Sequence, residues 1–354
     1  MSKYLSERLQ AIVPYTPGEQ PKIDGLTKLN TNESPFPPSP AVIRALNSDE
    51  VGRLNLYSDP TSSALVDAIA NRLGVSETNI LPGNGSDEIL AFCFQAFCDE
   101  AHQPAFADIT YGFYPVFCEL FGLTPQIVPL RDDLTIEPAD YAAHAGPIFI
   151  ANPNAPTGIA LELPQIEALL QLDRIVVVDE AYVDFGAATA VTLLPKYDNL
   201  IVVRTFSKSR NLAGARLGFA VANESLIEDL NRIKYSFNPY NVNRLSMIAG
   251  VKAMEDDAYF HACIGKIIET REKTVSELKR RGFEIPPSKA NFIFPKHPKL
   301  DATRFFDALR TRKILVRYFS SPRICDRVRV TIGSEEQMRL FIKVTDEILE
   351  ESRE

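Results

Sequence analysis

The sequence is poor in histidine and has no cysteine pair with metal-binding spacing. Its four histidines lie far apart, and its five cysteines form no CxxC pair. Such scattered residues predict no metal centre. An odd number of cysteines, mostly in apolar stretches, is typical of reduced thiols rather than of a disulfide framework. The sequence therefore predicts a cytoplasmic protein without a bound metal.

Long apolar runs and an excess of basic residues are also absent. No uninterrupted apolar run approaches the roughly 18 residues that a membrane span needs, and the opening MSKYLSER lacks the apolar segment of a signal peptide. With 38 basic and 46 acidic side chains the net charge is −8, which disfavours a nucleic-acid-binding surface. We therefore expect neither a membrane nor a nucleic acid as partner. The 354 residues are enough for two domains.

What the sequence does contain is an alternation of short apolar strands with amphipathic helices. Strands are predicted at 80–82, 104–107, 126–129, 147–151, 174–178, 200–203 and 219–222, with helices at 61–73, 89–97, 115–121 and 163–170. Continuous apolar strands separated by helices are typical of an α/β fold whose mostly parallel sheet lies between two helical layers. This pattern predicts a large domain over residues 29–260.

A smaller α+β domain is predicted for residues 261–354. Two helices between 243 and 281 lead into it, and strands at 291–295, 314–318 and 328–332 precede a helix from 334 onward. Prolines and glycine in the first part of the chain prevent a continuous helix. We interpret residues 1–28 as an irregular N-terminal arm that completes the small domain.

Lys208 lies in a polar turn directly after the apolar strand at 200–203, and Arg216 follows in the segment GARLG. A lysine at a strand end is normally a solvated surface group. A catalytic role for Lys208 therefore depends on which residues the other strand ends bring close to it. A lysine that binds pyridoxal phosphate covalently needs an acid near the ring nitrogen, partners for the ring hydroxyl and an anion site.

The segment GNGSDE at 83–88 is a candidate anion site. It opens a helix after a strand, so that free backbone N–H groups and the helix dipole converge on one point. The alternative is an ordinary helix start with Ser86 as its N-cap. Neither the GxGxxG pattern nor the GxxxxGK[ST] loop occurs in the chain.

Asp179 is the candidate acid, because it follows the strand at 174–178 and ligands of open α/β sheets bind at that edge. An ionised Asp179 could pair with a protonated pyridine nitrogen, and Tyr182 could donate to the ring's phenolic oxygen. Asn152, at another strand end, could share that oxygen, and Tyr111 could stack on the ring. The alternatives are a carboxylate that caps the next turn and a tyrosine packed in the core.

Together these segments resemble the pyridoxal-phosphate aminotransferases of fold type I. The matching motifs are NPNAPTG at 152–158, DEAY at 179–182, TFSK at 205–208 and Arg216. The segments GNGSDE at 83–88, PYTPG at 14–18 and RVTIG at 329–333 narrow the resemblance to the histidinol-phosphate aminotransferases. The match covers about residues 10 to 345, in the family's order and spacing.

The resemblance implies a role for each matching residue. Lys208 would bind the cofactor covalently and then move a proton between substrate and cofactor. Asp179 would hold the ring nitrogen protonated, Tyr182 and Asn152 would contact the phenolic oxygen, and Tyr111 would stack on the ring. The cofactor phosphate would be surrounded by Gly85, Ser86, Thr205, Ser207 and Arg216. The resemblance also implies a homodimer with shared active sites, in which Tyr57 reaches the neighbouring subunit's cofactor phosphate.

The expected substrates are histidinol phosphate and glutamate or 2-oxoglutarate. A guanidinium binds phosphate and carboxylate alike, and Arg329 and Arg317 are the candidates for this anion, with a solvated strand-edge charge as the alternative. Tyr15 matches the family tyrosine that closes over the substrate. An aromatic aminotransferase or a phosphothreonine-type decarboxylase of the same branch stays open. An inactive, aminotransferase-like regulator is disfavoured, because Lys208 is present and no DNA-binding segment is added.

Overall fold

A computed structural model of the chain describes residues 5–6, 9, 12–46 and 48–352. In chain order the strands are Thr27–Lys28 (β1), Ile80–Gly83 (β2), Ala105–Ala107 (β3), Gln126–Val128 (β4), Ile148–Ala151 (β5), Val176–Asp179 (β6), Leu200–Thr205 (β7), Gly218–Ala222 (β8), Phe292–Ile293 (β9), Ile314–Leu315 (β10), Arg317–Tyr318 (β11) and Val328–Thr331 (β12). The α-helices are Pro40–Ala45 (α1), Ser48–Val51 (α2), Ser63–Leu73 (α3), Ser86–Phe97 (α4), Phe113–Phe121 (α5), Leu163–Leu170 (α6), Glu224–Phe237 (α7), Arg244–Glu255 (α8), Asp257–Arg280 (α9), Ala302–Thr311 (α10) and Glu335–Glu351 (α11). None of these helices combines the length and the apolar composition that a membrane span requires.

The central sheet has the strand order β2-β8-β7-β6-β5-β3-β4. Strand β8 runs antiparallel to both of its neighbours, while the strands from β7 to β4 pair in parallel. Strands β5 and β6 are buried along their whole length, because helices cover both faces of the sheet. The predicted α/β fold with a mostly parallel sheet is confirmed.

Successive residues of one central strand pack into two different apolar cores. In β6, Val176 and Val178 contribute to the core formed with α3, α6 and α8. Val177 contributes to the core on the opposite face, formed with α4, α5 and α7. This alternation follows from the pleat, which turns successive side chains to opposite faces. Packing on both faces therefore holds the strand ends, including Asp179, in place.

A smaller core lies in the C-terminal part of the chain. Strands β11, β12 and β9 form an antiparallel sheet, and Ile267 of α9, Phe305 of α10 and Phe341 of α11 share its apolar core. This core also includes Leu29 and Phe185. The domain boundaries at 28/29 and 260/261 stay predictions, and part of the predicted arm, including residues 1–4, lies outside the described residues.

Two parts of the small domain differ from the sequence-based prediction. Residues 314–318 form two strands rather than one, because β10 pairs with β1 whereas β11 pairs with β12 in another sheet. The same pairing gives Thr27–Lys28, predicted as irregular, a place in a parallel strand. Helix α10 is absent from the prediction. It begins after Asp301, whose carboxylate accepts a hydrogen bond from the Arg304 amide.

Candidate active site

A cavity of about 660 Å³ opens at the edge of the central sheet where the parallel strands end. The last residues of β5, β6 and β7, which are Ala151, Asp179 and Thr205, all line it. This is the edge at which open α/β sheets bind ligands. The cavity brings together most of the predicted site residues: Tyr15, Ser86, Tyr111, Asp179, Tyr182, Thr205, Ser207, Lys208, Arg216, Arg317 and Arg329.

Lys208 lies in the turn after β7 and is half-buried in this cavity. Its Nζ donates a hydrogen bond to the Thr31 carbonyl at 3.3 Å and lies 5.9 Å from the centroid of the Tyr182 ring. Burial, followed by the positive charge of Arg329, lowers the pKa of Lys208 to about 8. A lysine with this pKa keeps an appreciable neutral fraction near neutral pH, and only the neutral amine can attack a carbonyl carbon.

Asp179 ends β6 in surroundings that leave its charge poorly balanced. Its Oδ1 accepts a hydrogen bond from the Ala181 amide at 3.1 Å, whereas Oδ2 has, among the described residues, only a long contact of 3.5 Å with the Tyr114 hydroxyl. Burial, with a smaller contribution from Asp87, raises the pKa of Asp179 to about 7. A cation beside this carboxylate would favour its ionised form. A protonated pyridine nitrogen meets this requirement.

The raised pKa of Asp179 gives a prediction for the protein without a ligand. Between the ordinary value of 3.8 and the folded value of about 7, the folded state binds the extra proton, so this group lowers the free energy of unfolding as the pH rises. Asp179→Asn removes the ionisable group and with it this loss of stability at higher pH. We expect the stability gain of Asp179→Asn over wild type, measured by urea unfolding, to grow by about 2 kcal/mol between about pH 5 and about pH 8. A gain that does not change with pH would contradict a buried, unbalanced carboxylate.

The N-terminus of α4 forms a corner suited to an anion. The N-cap residue of the helix is Gly85, which has φ of 87° and no side chain that could cap the first turn. The positive φ is what favours glycine here, and a Cβ at this position would also lie 2.7 Å from the Arg216 guanidinium. At the end of β7, the Thr205 hydroxyl accepts a hydrogen bond from the Ser207 amide at 3.1 Å. Backbone amides, the helix dipole, hydroxyls and a guanidinium together suit a phosphate group.

Two tyrosines form part of the cavity wall. The Tyr111 hydroxyl donates to Asp87 at 2.7 Å. The Tyr182 hydroxyl accepts a hydrogen bond from Asn32 at 3.0 Å, and its ring is perpendicular to that of Phe292. Burial is the main cause that raises the pKa of both tyrosines. Both hydroxyls therefore stay protonated near neutral pH.

The structure does not bring the Asn152 amide to the cavity. Asn152 is fully buried, its Oδ1 accepts from the Leu161 amide at 2.7 Å, and its Nδ2 donates to the Leu161 carbonyl at 3.3 Å. The Asn152 side chain thus holds the backbone of Leu161 in place and stabilises the segment that follows β5. Ala155 of the same motif lines the cavity. The expected contact of Asn152 with a ring oxygen has no support in this geometry.

Arg317 and Arg329 lie opposite each other on the paired strands β11 and β12. The Arg329 Nη2 donates to the Asn30 carbonyl at 3.1 Å, whereas its buried Nε has no hydrogen-bond partner within the described part of the chain. Arg317 donates to the Thr16 carbonyl at 3.2 Å. Like charges directly opposite each other repel, and an unpaired buried donor costs free energy. An anion between the two arginines would therefore stabilise both.

Tyr15 and Tyr57 lie in different places. Tyr15 lines the cavity and packs on Phe113, with ring centroids 4.7 Å apart. Tyr57 is 80% exposed and stacks on Tyr240, with centroids 4.6 Å apart. Tyr57 is not part of the cavity wall of its own chain.

Comparison with known proteins decides the family. The family model described as aminotransferase class I and II matches residues 24–344. The chain belongs to the class I and II aminotransferases. The predicted resemblance to the fold type I aminotransferases is thereby confirmed.

Relatives of this aminotransferase cover almost its whole length. The chain is 51% identical to the histidinol-phosphate aminotransferase of Brachyspira hyodysenteriae, over 97% of the chain and 98% of the relative. It is 47% identical to histidinol-phosphate aminotransferase 1 of Hydrogenovibrio crunogenus, over 99% of each. The crystal structure of histidinol-phosphate aminotransferase from Sinorhizobium meliloti, in complex with pyridoxal-5′-phosphate, has a TM-score of 0.89 at 25% identity and covers 99% of each chain. An aspartate aminotransferase mutant from Thermus thermophilus, at 19% identity and a TM-score of 0.81 over 97% of this chain and 99% of that one, shares the fold alone.

Two parts of the aminotransferase site are absent from the sequence-based prediction. Asp87 accepts the hydrogen bond of Tyr111 and forms an ion pair with Arg216 at 3.1 Å. An acidic residue in the first turn of a helix is ordinarily explained by the helix dipole, so its position in the sequence does not reveal this link. The second part is the segment of residues 30–32, all three of which line the cavity.

Proposed function

We propose that the chain is a histidinol-phosphate aminotransferase that moves an amino group between histidinol phosphate and 2-oxoglutarate, with pyridoxal 5′-phosphate as cofactor. The observation that carries the proposal is the pair Arg317 and Arg329, which lines the same cavity as Lys208 and Asp179. Because a guanidinium binds either phosphate or carboxylate, one pocket suits both histidinol phosphate and glutamate. The full-length relatives that carry this name support the proposal.

The side chains of the cavity fit this cofactor. Lys208 would bind it covalently through the neutral amine and carry the proton that moves during amino transfer. Asp179 would pair with the protonated ring nitrogen, Tyr182 would donate to the phenolic oxygen, and Tyr111 would stack on the ring. When bound, pyridoxal phosphate supplies an electron sink that allows a C–H bond of the substrate to break. Its phosphate would lie against Gly85, Ser86, Thr205, Ser207 and Arg216.

The reaction can be tested with purified protein, pyridoxal phosphate, histidinol phosphate and 2-oxoglutarate. We expect one glutamate to form for each histidinol phosphate consumed, because each turnover transfers one amino group. Cofactor binding without any glutamate formation would contradict the proposed reaction. Release of carbon dioxide from a phosphorylated amino acid would instead indicate the decarboxylase of the same branch.

A cytoplasmic homodimer with shared active sites is part of the proposal. Large apolar side chains are exposed near Tyr57 or near its stacking partner Tyr240 in sequence: Leu54, Leu56 and Phe237. Exposed apolar patches of this kind are typical of protein contact surfaces. A second copy of the chain on this surface would cover them and would bring Tyr57 to the phosphate corner of the neighbouring cavity.

Subunit mixing tests the shared site. Tyr57→Phe and Lys208→Ala should each be poorly active, but a mixture allowed to exchange subunits should recover activity. Half of the random dimers are hybrids with one intact site, so recovery should reach at most about a quarter of the wild-type rate. No recovery in hybrids proven by mass spectrometry, or a fully active monomer in sedimentation, would contradict the shared site.

A further inference from the structure

The crossing segment, residues 30–32, contacts three proposed site residues at once. Its first two carbonyls accept hydrogen bonds from Arg329 at 3.1 Å and from Lys208 at 3.3 Å. Its third residue, Asn32, donates from Nδ2 to the Tyr182 hydroxyl at 3.0 Å. Asn32 is 1% exposed and has φ of 55°, a left-handed conformation that asparagine adopts more readily than most residues. The left-handed backbone conformation at residue 32 therefore suits asparagine and helps to place this side chain at the site.

The Asn32 backbone N–H begins a chain of three hydrogen bonds whose directions are mutually consistent. The Asn32 N–H can only donate, so the Thr331 hydroxyl oxygen accepts it at 3.0 Å. The hydrogen of the Thr331 hydroxyl is then free to bind Asn32 Oδ1, which lies 2.9 Å away. With Oδ1 as the acceptor, the amide presents Nδ2 to Tyr182, and Nδ2 can only donate. The Tyr182 oxygen accepts this bond and keeps its own hydrogen for another acceptor.

We propose that Asn32 is a positioning residue that directs the Tyr182 hydroxyl hydrogen into the cavity, and that Thr331 fixes the Asn32 amide in the orientation this requires. The inference rests on the proposed function, in which the acceptor in the cavity is the phenolic oxygen of pyridoxal phosphate. With the amide reversed, Asn32 Oδ1 would take the Tyr182 hydrogen, and the phenolic oxygen would lose its donor.

Further contacts hold this arrangement in place. Asn291 donates from Nδ2 to the Asn32 carbonyl at 3.1 Å, and the Thr331 amide donates to the Leu29 carbonyl at 2.9 Å. Thr331 follows Arg329 by two residues on β12, so both side chains are on the same face of the strand. The strand that carries the proposed anion-binding arginine therefore also fixes Asn32.

Three variants of buried threonines test the role of the Thr331 hydroxyl. Thr331→Val removes the hydroxyl at nearly constant shape, and Thr331→Ser keeps it. Thr345→Val is the matched control, because it removes a buried hydroxyl of the same domain that donates only to the Phe341 carbonyl. The charged groups that face Tyr182 are unchanged in all three: Arg329, Asp179, Asp87 and Lys208.

The quantity to measure is the pH midpoint of the visible absorption of the bound cofactor. A donated hydrogen bond stabilises the ionised phenolic oxygen, so its loss should raise the midpoint by about one pH unit. We expect this shift in Thr331→Val and no shift in Thr331→Ser or Thr345→Val. Equal midpoints in Thr331→Val and Thr345→Val would overturn the inference.

Tyr182→Phe shows whether the effect passes through the tyrosine hydroxyl. Alone it should raise the midpoint, and Thr331→Val should then add nothing. A Thr331→Val shift of the same size with and without Tyr182→Phe would overturn the role of Asn32. If Thr331→Val does not fold, Asn32→Asp replaces it, because an ionised carboxylate can only accept a hydrogen bond. The shift caused by Asn32→Asp is then measured with and without Tyr182→Phe, and the difference between the two shifts is the part that depends on the Tyr182 hydroxyl. Wild-type protein that takes up no cofactor would contradict the proposed function itself, before any variant is compared.

Discussion

Lys208→Ala should lower kcat by about a thousand-fold or more, because this side chain supplies both the covalent attachment and the mobile proton. The fold should be retained, since within the described part of the chain the half-buried lysine makes a single long hydrogen bond to a carbonyl and belongs to no apolar core. Borohydride treatment of the wild type should leave the cofactor attached to the peptide that contains Lys208. In Lys208→Ala the cofactor should wash off after the same treatment.

Lys196→Ala is the control for this experiment. Lys196 is an exposed lysine that pairs with Glu167 at 2.5 Å, away from the cavity. We expect wild-type turnover and wild-type attachment of the cofactor. A Lys208→Ala protein that retains both turnover and borohydride-stable cofactor would contradict the assignment of Lys208.

Arg329→Ala should weaken both substrates, while the cofactor should still bind and be fixed to Lys208 by borohydride. Loss of a charge-assisted pair to a desolvated anion costs about 2–5 kcal/mol, which corresponds to about 30-fold to a few thousand-fold in kcat/KM. Both histidinol phosphate and glutamate should be affected, because their anionic ends would occupy the same pocket. Arg329→Lys should recover only part of the loss, since an ammonium group cannot form the two parallel hydrogen bonds of a guanidinium.

Arg317→Ala and Arg327→Ala show whether the effect of Arg329→Ala depends on contact with the substrate. Arg317 lies opposite Arg329 and nearer the solvent, so Arg317→Ala should weaken histidinol phosphate more than glutamate if it touches only the phosphate. Arg327 lies just before β12 and outside the cavity wall, so Arg327→Ala should leave both values of kcat/KM unchanged. Unchanged kinetics in Arg329→Ala would mean that this arginine does not bind the substrate.

The positions at strand ends were the predictable part of the site. Asp179 and Lys208 each follow a continuous apolar strand, and a parallel sheet brings the ends of such strands to one edge. The cavity wall contains both residues. The local sequence was sufficient here, because the apolar strand and the polar residues that follow it lie within ten residues of each side chain.

The asparagines show what local pattern leaves undetermined. Asn152 occurs in a strand-end motif, yet its amide is hydrogen-bonded to the backbone of Leu161, nine residues away. Asn32 lies in the connection between β1 and α1, yet its amide is oriented by Thr331, 299 residues away. Which amide faces a ligand depends on which backbone groups need a partner, and that is settled only by the tertiary fold. The division of residues 314–318 into two strands has the same origin, because it depends on pairing with β1 and β12.

A competition assay tests the proposed substrate most directly. Histidinol phosphate, phenylalanine and tyrosine are supplied together at equal concentrations with 2-oxoglutarate, and the ratios of the keto products give the ratios of kcat/KM. If the two arginines bind the phosphate, histidinol phosphate should be consumed first, and Arg329→Ala should bring the three rates closer together. Equal or faster consumption of phenylalanine or tyrosine by the wild type would contradict a histidinol-phosphate aminotransferase.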